Sequence, residues 1–106
     1  MMTLQELKDR AIKELQDTVG DSVKLKELYK TATTVANNTI EELSTEQLLT
    51  LALAEPDLVK SYVIFETHAS VIGISARDCI KRNLNYILRV YIYEQITQAN
   101  AVKLIK

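Results

Sequence analysis

The sequence predicts an all-α fold, a small bundle of about five helices, and three observations carry that expectation. Only two glycines and one proline interrupt 106 residues, so the elements should be few and long. Apolar residues recur at spacings of three and four along most of the chain, the period of a helix with one buried face. Several of these stripes begin where a Ser or Thr stands three residues ahead of a Glu, Gln or Asp, the pattern of an N-terminal cap. A chain of this length supports one modest core and not two, so residues 1–106 are read as a single helical domain.

Thr3 with Glu6 opens the first helix, Leu4, Leu7, Ala11, Leu15 and Val19 form its stripe, and Gly20 is a natural terminator, which gives a helix over Leu4–Val19. The second follows Asp21 or Ser22, with Leu25, Leu28, Ala32, Val35, Ala36, Ile40 and Leu43 keeping the period through KLKELYKTATTVANNTIEEL. Its middle is rich in Thr and Asn, indifferent helix formers, so tertiary packing must hold it. Ser44 with Gln47 starts a short third helix across Leu48, Leu49, Ala52 and Leu53, which stops before Pro56.

Between Asp57 and Gly73, SYVIFETHASVIGI is β-branched and aromatic enough to be a strand. A lone strand finds no partner elsewhere in the chain, so a helix with a loop near Gly73 is preferred. Ser75 with Asp78 then opens the last long helix, whose stripe is Ala76, Ile80, Leu84, Ile87, Leu88 and Tyr91. The final TQANAVKLIK is a short helix or a continuation of that one, and removing it matters only if Val102, Leu104 and Ile105 dock back. The expected core is Leu7, Leu15, Leu28, Val35, Ile40, Leu49, Ile80, Leu84, Ile87 and Leu88.

Composition narrows function. Hydrophobic residues at 47%, charged residues at 25% and a net charge of −1 fit a globular protein with no overall field toward nucleic acid or an anionic membrane. The N-terminal MMTLQELKDRAIKEL has charges between its apolar pairs, unlike the core of a signal peptide, and LLTLALA and YVIF are too short to span a bilayer. A cytoplasmic protein is expected. With one cysteine and one histidine there is no Cys/His metal set. No phosphate-binding glycine loop, nucleophile elbow or H-E-x-x-H motif occurs, and the expectation is a protein that is not an enzyme.

The residues left for chemistry lie on the last long helix. Cys79 falls in its first turn, where the helix dipole favours a thiolate, although a buried cysteine serving as a small hydrophobe is the commoner case. His68 has no partner at a motif spacing. Arg77, Lys81 and Arg89, with Asn85 in the gap and Arg82 alongside, form a basic ridge suited to carboxylates or phosphates, or else a solvated face. Opposite the ridge, Cys79, Tyr86, Val90 and Tyr93 make a second, semi-apolar strip. A helix apolar on two sides usually sits between neighbours, so pairing with another helical subunit or with itself is expected.

The run CIKRNLNYILRVYIY resembles the central helix of phycobiliproteins, the globin-like light-harvesting subunits of the phycobilisome. Aligned on Leu88-Arg89, the residues Arg82, Leu84, Tyr86 and Tyr93 fall where that family places an arginine, a leucine and aromatics. TLQELKDRAI, ATTVANNTI and EPDLV follow the order of the family's earlier core segments. The resemblance implies a globin-like fold and a distant, shortened relative, since family members continue through several more helices. It implies Cys79, Arg82, Asn83 and Arg89 as bilin or anion contacts. The pigment cysteine position is Ile80, with Cys79 one residue early, and the acidic partner of the bilin nitrogens is Asn83. The expected function is therefore a phycobiliprotein-like binding or scaffold subunit without covalent bilin. HASVIGISARDCIKRNLNYILR is also similar to a LuxR-type helix-turn-helix, in which Arg77, Lys81 and Arg82 would face DNA. That reading ranks second because the chain is not basic overall. A small oligomeric helical adaptor is the third.

Overall fold

The computed structural model describes residues 2–55 and 76–106. Helix dominates the described residues: α1 is Leu4–Val19, α2 Leu28–Glu41, α3 Thr45–Ala54 and α4 Ala76–Thr97. A short 3-10 turn over Leu25–Glu27 leads into α2, and two strands, β1 at Ser22–Lys24 and β2 at Lys103–Ile105, complete the described elements. The mostly helical character agrees with the sequence expectation. The expected preference over 57–73, the Ser75 cap, His68 and Pro56 lie outside the described residues.

Local signals set the helix ends. Thr3 Oγ1 accepts the Glu6 N–H at 3.1 Å at the start of α1. At α3, Ser44 Oγ accepts from Gln47 N–H at 3.1 Å while Gln47 Oε1 accepts from Ser44 N–H at 2.9 Å, a complete capping box. Gly20 ends α1 at φ 67°, where any side chain would be strained. Past α4, Ala99 takes φ 55° and donates its N–H to Ile96 O at 3.0 Å. It fills the left-handed position that glycine usually takes at a helix end.

The core is one cluster. Leu7, Ala11 and Leu15 of α1, Ala32, Val35 and Ala36 of α2, and Leu48 and Leu51 of α3 surround the buried stripe of α4. That stripe is Ile80, Leu84, Leu88, Ile92 and Ile96, all with no exposure, so α4 is the central helix and packs on α1, α2 and α3. Thr39, the one polar residue buried with this set among the described residues, returns its hydroxyl to Val35 O at 2.9 Å.

Five sequence expectations need correction. The second helix does not start at Asp21 or Ser22: Leu25 is 51% exposed, because Ser22–Lys24 is drawn into a strand. TQANAVKLIK is neither a short helix nor a continuation. It turns at Ala99 and supplies β2, which pairs in parallel with β1 in the register Ser22 to Lys103, Val23 to Leu104 and Lys24 to Ile105. In α3 the buried positions are Leu48, Leu51 and Ala52, while Leu53 is 64% exposed. Leu49 and Ile87 pack against the core only partly buried. Along α4 the stripe continues through Ile92 and Ile96, while Tyr91 lies to its side beneath Lys8, whose Nζ is 5.1 Å from the ring centre.

Candidate functional site

The basic ridge of α4 is one wall of a seam with α2. The two helices run antiparallel, and three contacts follow one another along the seam, at every fourth residue of α4 and at Glu41, Asn37 and Tyr29 of α2. Glu41 Oε1 accepts from Lys81 Nζ at 3.2 Å, Asn37 Oδ1 accepts from Asn85 Nδ2 at 2.7 Å, and Tyr29 Oη accepts from Arg89 Nη1 at 3.4 Å. Stepping four residues at a time keeps both rows in contact because a fourth residue advances a helix by little more than one turn. Arg89 also stands over the Tyr29 ring, with 5.9 Å from guanidinium carbon to ring centre.

A groove of about 360 Å³ opens along this seam, lined by Thr33, Asn37, Lys81, Arg82, Asn85 and Arg89. Every lining side chain carries a hydrogen-bond donor, and three carry positive charge. Two of the donors are unusual. Thr33 Oγ1 and Arg89 Nε are buried and have no hydrogen-bond partner. A buried polar atom left in this state costs roughly 1–3 kcal/mol, so such atoms are rare in the absence of a compensating role. The Lys81 ion pair offsets little of this: Glu41 is 70% exposed, and a pair in that setting contributes about 1 kcal/mol or less.

The expected site residues divide. Arg82 and Arg89 are brought together in the groove, while Cys79 and Asn83 are not among its lining residues. Cys79 is half-buried. Tyr86 and Val90, on successive turns, are 60% and 38% exposed. Tyr93 departs from the expected strip. It is partly buried against the core, close enough to Tyr29 and Arg89 for both to act on its ionisation. Burial, followed by the Tyr29 phenol, raises its pKa above 10.0, and the Arg89 charge partly offsets the rise. Tyr93 thus continues the Arg77, Lys81, Asn85, Arg89 row of α4.

Sequence reasoning missed the α2 wall, namely Tyr29, Thr33, Asn37 and Glu41. A signal was present, since these polar residues repeat every four positions beside the apolar stripe. No group of three or more His, Cys, Asp or Glu side chains among the described residues is placed to hold a metal ion, and no described helix is long and apolar enough to cross a membrane. Comparison with protein-family models, with curated proteins and with solved structures gave no match for this chain.

Proposed function

We propose that this protein works by binding, as a non-enzymatic helical scaffold or accessory subunit of the cytoplasm that associates with a second copy of itself through the outward face of α4. The observation that carries the reading is the division of that helix. Its inner stripe from Ile80 to Ile96 is fully used by the bundle, yet Tyr86 and Val90 still present apolar surface on the other side. An aromatic ring and a β-branched side chain on successive turns suit a helix–helix contact.

The phycobiliprotein-like form of this reading rests on the resemblance of CIKRNLNYILRVYIY. One structural observation supports a subunit without covalent pigment: Ile80, at the pigment cysteine position, has no exposure. A side chain there is buried in the core. Co-expression with a bilin supply and lyases, followed by denaturing electrophoresis and zinc-enhanced fluorescence, tests this. No fluorescent band is expected; a band that survives denaturation and disappears in Cys79→Ser would contradict it.

The DNA-binding reading draws on the exposure of Arg77 and Arg82. Against it, Lys81 is bonded to Glu41, and the net charge of −1 gives no overall field toward DNA.

A further inference from the structure

We infer that the α2–α4 groove is a binding site for a phosphate monoester, a function that stands apart from self-association. The charge balance sets the class of ligand. Lys81, Arg82 and Arg89 supply three positive charges to the groove, and the Glu41 carboxylate bonded to Lys81 removes one, which leaves two. A monoester carries close to two negative charges at neutral pH, whereas a carboxylate or a phosphodiester carries one.

Geometry points the same way. The Thr33 hydroxyl and the Arg89 Nε–H, on two residues that line one groove, are donors without acceptors, buried just behind its surface. Arg89 is held in place by its bond to Tyr29, so the guanidinium edge is ordered before a ligand arrives. Asn37 spends its amide oxygen on Asn85, which leaves its N–H₂ group as a further donor. A phosphate group has three terminal oxygens; it can accept from the exposed Arg82 directly, and from Thr33 and Arg89 once a small side-chain rotation turns their buried donors toward the groove. The groove, at about 360 Å³, holds more than the phosphate, so the ester's organic part has room beside it.

Isothermal titration with phenyl phosphate, with benzoate as a monoanion of similar ring, tests the assignment, and folding of each variant is checked by thermal melting. Saturable binding of phenyl phosphate below about 1 mM is expected, with benzoate weaker by about tenfold or more. Thr33→Val removes a hydroxyl that bonds to nothing in the fold, and Arg82→Ala changes an exposed side chain. Both variants should keep their melting temperature and lose about fivefold to tenfold in affinity. Vesicles containing phosphatidic acid, which presents the same monoester on a lipid, distinguish the source. Vesicle binding abolished by the same two variants identifies a lipid headgroup, and phenyl phosphate binding without vesicle binding identifies a soluble ester. The assignment is overturned by an absence of saturable binding in both arms, by binding that the two variants leave unchanged, by benzoate binding equal to phenyl phosphate, or by a DNA duplex that binds more tightly than the monoester.

Discussion

Arg89 of α4 donates to the phenolic oxygen of Tyr29 of α2 at 3.4 Å while its guanidinium lies 5.9 Å from the centre of that ring. Both contacts hold the guanidinium against Tyr29, and the Nε–H is left buried without an acceptor. This single pairing ties the edge of the groove to the helix seam and fixes where the positive charge stands.

If the ring carries most of this contact, Tyr29→Phe should cost little and Tyr29→Ala more. The hydroxyl accepts a long hydrogen bond, and Tyr29 is 62% exposed. Losses of a few tenths and about 1 kcal/mol respectively are expected, read from the shift in urea midpoint at constant slope. Equal losses in the two variants would assign the interaction to the hydroxyl.

Ionisation of Tyr93 should destabilise the fold at high pH. Its folded pKa lies above 10.0 because burial and the Tyr29 phenol favour the neutral form. Above pH 10 the unfolded chain has released this proton while the folded chain still holds it, so folding stability is full below pH 10 and falls as pH rises through the folded pKa. Phenolate absorbance of the wild type minus that of Tyr93→Phe isolates the group. A midpoint at or below 10.0 would contradict the placement of Tyr93 in the seam.

The C-terminal segment is predicted to stabilise the domain. Val102 is 4% exposed, Leu104 packs against the core, and Lys103 N–H donates to Asp21 O at 2.8 Å. Val102→Ala should cost roughly 1–2 kcal/mol, and removing residues 101–106 more, since β1 then loses its strand partner. Denaturation of the shortened chain at the wild-type midpoint would show that the strand pair contributes nothing.

Ala99→Gly is predicted to stabilise. Ala99 holds φ 55°, a region that costs an L-residue about 1 kcal/mol and a glycine nearly nothing. The looser unfolded chain offsets part of the gain, so an increase of a few tenths of a kcal/mol up to about 1 is expected by thermal or urea unfolding. A loss of stability would mean that the alanine methyl makes a contact worth more than the strain.

What the sequence made legible follows the range of the interactions. Helix starts at Thr3 and Ser44 and the stop at Gly20 were readable because caps are made within three or four residues. The strands were not readable. Each is three residues long, they stand far apart in the chain, and Leu25 sits three residues before Leu28, which extends the helical period falsely into the 3-10 turn. The continuation of the α4 stripe through Ile92 and Ile96 was obscured by Tyr91, which is apolar enough to join the pattern but lies beside it under Lys8. The basic ridge was readable on α4 alone. The polar repeat of Tyr29, Asn37 and Glu41 on α2 was readable too, but that it meets the ridge depends on the antiparallel register of α2 against α4, a tertiary fact.

Self-association through the outer face of α4 is tested most directly by light scattering after size exclusion, at concentrations of about 10–100 μM, where a modest helix–helix interface is populated. The account predicts a mass of twice the 12.0 kDa chain, falling to 12.0 kDa in a Tyr86→Glu, Val90→Glu double variant that melts at the wild-type temperature. A wild-type mass of 12.0 kDa across the whole range, or a dimer that the double variant leaves intact, would contradict it.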